Sequence, residues 1–105
     1  DWVVGRGARG EPQFGAWPTA QRPRIVAELG DWSARFGFVA AGLGITTVPR
    51  LVAGALPDGV VHVEVDDPGR VSRSMMLARI GDLTGPAAAV RAALLHEAHE
   101  LAGTP

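Results

Sequence analysis

Thirteen residues, "FVAAGLGITTVPR" from Phe38 to Arg50, restrict what this chain can become more than any other stretch. An apolar, alanine-rich run meets Gly42 and Gly44, continues as the β-branched "ITTV", and stops at Pro49. Alanine-rich sequence favours helix, glycine ends one, and β-branched residues favour strand. The chain must therefore pass from helix to strand within a few residues, which requires helices packed on a sheet. A chain of 105 residues leaves room for one compact domain of this kind rather than two comfortable cores.

The flanking sequence extends the pattern. "DWVVG", Asp1 to Gly5, is a short apolar run ending in glycine, as expected of a buried strand. Glycines and prolines crowd residues 6–23, so no helix longer than about two turns fits there. In "RPRIVAEL", Ile25, Ala27 and Leu29 alternate with Val26 and Glu28, the period of a strand that Gly30 ends. Asp31 is placed to cap a helix whose face carries Trp32, Phe36, Val39, Ala40 and Leu43, with Gly42 or Gly44 as its stop. "ITTV" is a short strand, and "RLVAGAL" makes a turn or two of helix before the "PDG" turn. "VVHVEV", Val60 to Val65, alternates as a strand with one wetter face, and "VSRSMMLARI" reads as another after the "DDPGR" turn. Thr84 is expected to cap the longest helix, with Ala87, Val90, Leu94, Ala98 and Leu101 on one stripe.

Composition removes several functions. A formal charge of -1 with scattered arginines leaves no basic face for nucleic acid, and no apolar run reaches the roughly 18 residues of a membrane span. Cysteine is absent, as are lysine, tyrosine and asparagine, which excludes disulfides, thiolate metal sites, Schiff-base lysines and tyrosine acid–base roles. The all-arginine basic set, with abundant alanine and glycine, points to coding bias. The start at Asp1, without methionine or leader, reads as a piece of a larger protein.

Each chemical motif has a plainer explanation. "GRGARG", Gly5 to Gly10, fits the dinucleotide pattern G-x-G-x-x-G, but Glu11, Pro12 and Gly15 prevent the helix whose N-terminus must face the pyrophosphate. Arg6 and Arg9 with free backbone N–H groups remain a place for a small anion. "HEAHE", His96 to Glu100, spaces its histidines at i and i+3, whereas the zinc-protease motif needs i and i+4. His62 has no supporting nucleophile motif among Ser33, Ser72 and Ser74, and Asp66 and Asp67 sit in turn sequence. No metal, cofactor or catalytic group is expected. The start of the first firm helix, at Asp31 and Trp32, has the free N–H groups and positive dipole end that receive a polar or anionic ligand, although a simple cap with a core tryptophan is the plainer reading of the same residues.

The run from Pro23 through "VAAGLGITTVP" to the "GVV" segment resembles the effector-binding region of LysR-type transcriptional regulators. The residues that carry the resemblance are Val39, Ala40, Ala41, Gly42, Leu43, Gly44, Ile45 and Pro49. It covers nearly the whole chain and is weakest at residues 6–21, where the family usually has a helix. It implies an α/β fold of the type 2 periplasmic-binding-protein kind, with this chain as one lobe: a central mixed sheet flanked by helices. The second lobe would occupy residues 1–83 and a closing helix 84–102. It further implies a cytoplasmic, homo-oligomeric, non-enzymatic sensor of a polar or anionic small-molecule effector. DNA would be bound only through a winged helix-turn-helix outside this chain. Carried over by position, the ligand-binding candidates are Arg6, Gly7, Asp31 and Trp32, with Thr46 and Thr47 as additions of which at most one faces a ligand. The alternative is a lobe of an extracytoplasmic solute receptor of the same fold.

Overall fold

A computed structural model describes residues 1–7, 15–70 and 74–103 and divides the chain into two compact units, Asp1–Glu64 and Val65–Pro105. The first unit holds strand β1 (Trp2–Gly5), strand β2 (Ile25–Leu29), helix α1 (Trp32–Ala40) and a 3-10 helix (Arg50–Ala55). The second holds helix α2 (Gly85–Gly103).

β1 is the centre of the first unit. It pairs in parallel with β2 through Val3↔Ala27, Val4↔Glu28 and Gly5↔Leu29, with an irregularity between Trp2 and Val3. On its other side Trp2 makes a parallel bridge with Ile45, closed by Val3 N–H to Ile45 C=O at 2.8 Å and Ile45 N–H to Asp1 C=O at 3.0 Å. Segments β2, α1 and Ile45 thus form a crossover that steps over β1, and α1 packs on both strands. Neighbours on every side leave Val3 fully buried and Val4 nearly so, which explains why this strand is a continuous apolar run. At the strand entrances, the Arg24 guanidinium donates two hydrogen bonds to the Asp1 carboxylate.

The two glycines after α1 do different work. Gly42 has φ +74° and lets Gly42 N–H reach Val39 C=O and Leu43 N–H reach Phe38 C=O, a Schellman closure around Ala41. Gly44 is needed for space: a Cβ there would lie 3.0 Å from Asp1 O and 3.2 Å from Val3 Cγ2. A side chain at Gly44 would crowd the bridge from Ile45 to β1.

Several expectations change. The helix ends at Ala40, so Leu43 leaves the helical stripe and is exposed. The fully buried α1 residue is Arg35, while Phe36 and Val39 are half-buried. "VVHVEV" and residues 74–79 of "VSRSMMLARI" form no strand, and 71–73 lie outside the described residues. Alternation specifies which faces a strand would present, but a strand also needs a free edge to pair with. Val61 and Val63 accordingly stand 82% and 74% exposed. The sheet among the described residues is small and parallel, where a mixed one was expected. In the second unit, α2 begins directly after Thr84, and its Val90, Leu94 and Leu101 are exposed. Leu77, Ile80, Leu83, Val90 and Leu94, with Arg79 and Arg91, line an open groove there. No helix among the described residues is long and apolar enough to cross a membrane.

Two glycine substitutions test this reading by urea unfolding. Gly44→Ala should destabilise by about 1–3 kcal/mol through overpacking against β1. Gly37→Ala, mid-helix with open space around its Cβ, should stabilise by about 0.5–1 kcal/mol. Equal midpoints for both variants would contradict the close-approach role of Gly44.

Candidate functional site

All six candidates follow the carboxyl ends of the three parallel segments. Arg6 and Gly7 continue from β1, Asp31 and Trp32 follow β2, and Thr46 and Thr47 follow Ile45. In open parallel sheets this end is where loops converge and ligands bind. Each position is dictated locally.

Arg6 and Gly7 are exposed in a bend, held by Arg6 N–H to Leu29 C=O at 3.2 Å. The Arg6 side chain reaches Glu28 at 4.0 Å, an exposed contact of little energetic weight. Residues 8–14 of the glycine-rich loop, Arg9 included, lie outside the described residues.

Asp31 has extended backbone and caps α1. Its Oδ1 accepts from Ser33 N–H at 2.7 Å and from Ser33 Oγ–H at 2.8 Å. The Ser33 hydroxyl, then the Ser33 and Ala34 amides, hold this carboxyl below its ordinary pKa. The helix start is therefore already occupied by a fixed negative charge, which weakens the case for an anion there. Trp32, the first helical residue, keeps 37% of its surface exposed and lies 5.5 Å, centroid to centroid, from the Phe36 ring.

The threonines do not present free hydroxyls. Thr46 Oγ1 accepts from Arg35 Nη2 at 2.7 Å and Nε at 3.2 Å, and Thr47 C=O accepts from Arg35 Nη2 at 3.2 Å. Thr47 Oγ1 donates to Gly15 C=O at 3.0 Å. Both residues brace the site.

Arg35 is the residue that sequence reading missed. It is 2% exposed, its guanidinium carbon lies 4.0 Å from the Trp32 ring centroid, and burial draws its pKa below the ordinary value. The signal was present: position 35 is three residues after Trp32 and four before Val39, inside the apolar face, where an arginine is buried only if its donors are satisfied.

The other motifs do not join this end. His62 is exposed on a segment that forms no strand, and His96, His99 and Glu100 are exposed on α2. Among the described residues no group of three or more His, Asp or Glu side chains is disposed to hold a metal. Asp67 makes a turn, its Oδ1 accepting from Gly69 N–H at 2.8 Å.

The family model described as LysR substrate binding domain matches residues 1–100. The chain belongs to the LysR substrate-binding domain family. No curated protein and no solved structure matches it. Membership of the LysR family identifies the chain with the effector-binding part of transcription regulators, whose domains sense small molecules. The α/β core with parallel strands agrees with the fold that this LysR domain implies.

The Asp31 cap gives a pH signature. A carboxyl whose folded pKa is depressed contributes stability that is present above its unfolded pKa, about 3.9, and is lost as pH falls through the lower folded value. Asp31→Asn keeps a capping oxygen but does not titrate. Thermal melts should show the wild type losing its advantage over Asp31→Asn as pH drops below about 4. An advantage independent of pH would show that the charge contributes nothing.

Proposed function

We propose that this chain is the second lobe, residues 1–83, and the closing helix, 84–102, of the effector-binding part of a cytoplasmic LysR-type regulator. The wider fold is of the type 2 periplasmic-binding-protein kind, and the effector occupies the cleft between this lobe and another. The observation that carries the reading is the family match over residues 1–100 together with the convergence of the candidates at one end of the parallel sheet.

Within that cleft, Arg6 offers an exposed guanidinium, Gly7 an exposed stretch of backbone and Trp32 an exposed aromatic surface. Asp31 accepts hydrogen bonds and disfavours an anion beside it, so a polar effector with donors suits the helix start better than a bare carboxylate. Thr46 and Thr47 hold Arg35, which lies over the Trp32 ring, and Thr47 also holds Gly15. Effector binding then shifts the lobes and the arrangement of a homo-oligomer on DNA, a coupling between sites in place of catalysis.

Thermal denaturation of the full-length protein against a panel of small polar metabolites tests this. An effector at about 100 times its Kd should stabilise by about 2.7 kcal/mol. Trp32→Ala should fold and lose that shift, and the effector should change the mobility of the protein–DNA complex. A full-length protein with no DNA-binding domain and no affinity for DNA would overturn the reading.

A further inference from the structure

Three loops meet at the carboxyl end of the sheet, and one buried guanidinium lies between two of them. Arg35 projects from the first turn of α1. It stacks on Trp32, which follows β2, and donates to Thr46 and Thr47, which follow the third segment. Thr47 carries the connection onward through its hydroxyl to Gly15, in the long loop that follows β1. A continuous path of contacts therefore runs Trp32, Arg35, Thr46 and Thr47, Gly15. No buried side-chain nitrogen or oxygen among the described residues is left without a partner, so each bond in this path stands in for lost water.

We propose that Arg35 is a positioning residue that couples the three carboxyl-end loops, so that fixing any one of them orders the other two. The proposal rests on the reading of this end as the effector site, and assigns Arg35 no contact with the effector. The planar fork is what the role requires. Nε and Nη2 converge on one hydroxyl while Nη2 also meets a neighbouring carbonyl, and the flat face covers an indole ring. Lysine has the charge but neither the fork nor the face. Burial makes the arrangement stiff, because a displaced guanidinium would leave its bonds in a dry environment. An effector that ordered Trp32 alone would thereby find the Gly15 and Thr46 loops already in place, which lowers the ordering cost of binding.

Hydrogen exchange read by mass spectrometry on the full-length protein, with no ligand added, compares the wild type with Arg35→Lys, Thr47→Val and the double variant. In Arg35→Lys, exchange should accelerate by about tenfold or more across residues 15–20, 31–35 and 46–48 together, while residues 2–5 in β1 keep the wild-type rate. Thr47→Val should accelerate 31–35 in the wild-type background but add nothing there once Arg35 is lysine. Faster exchange confined to 46–48, or an equal rise everywhere including β1, would overturn the coupling. If Arg35→Lys fails to fold, Thr47→Val alone decides: wild-type exchange at 31–35 overturns the proposal, and faster exchange there with β1 unchanged supports it. Absence of any effector in the thermal panel alongside intact exchange coupling would count against the ligand reading and not against the role of Arg35.

Discussion

Everything in the first unit depends on β1 having a neighbour on each side. A four-residue strand has too little side chain to hold itself, and its two valines leave water only because β2, α1 and the Ile45 segment close around it. At Gly44 the chain runs close against β1, where a Cβ would lie 3.0 Å from the backbone oxygen of Asp1. Once that contact is made, the direction of the third segment is set parallel to β1, and its threonines are delivered to the same end as the loops from β1 and β2.

Much of this was legible in the residues themselves. The apolar run 2–5, the alternation over 25–29, the Asp31 cap and the glycine-terminated helix each follow from local chemistry, and each appears where that chemistry puts it. The 3-10 helix after Pro49 and the long α2 were legible for the same reason. Pairing was not. Val60–Val65 has strand periodicity as clean as that of 25–29, yet only the latter pairs with a neighbouring strand among the described residues, and periodicity carries no information about what lies alongside.

The candidate positions were reachable through the resemblance and the helix cap, but their division of labour was not. Thr46 and Thr47 look alike as pendant hydroxyls, and only the fold shows one accepting from a guanidinium and the other tying down Gly15. Arg35 was concealed by composition. All ten basic residues are arginine, so one more drew no notice, and an apolar helical face containing it reads as interrupted rather than as organised around it. Its cation–π contact and hydrogen bonds turn an unfavourable buried charge into the connection between two loops.

The pair of glycines separated by Leu43 also acts as a ruler. Gly42 sets where the helix lets go, Gly44 sets where the chain touches β1, and one intervening residue sets the phase with which the next segment begins. A residue added or removed between the glycines would have to be absorbed in the turn itself, or it would carry a side chain into the place where a Cβ meets Asp1 O and Val3 Cγ2. Length at this point carries as much information as residue identity, because the helix stop and the contact with β1 are fixed by glycines only one residue apart.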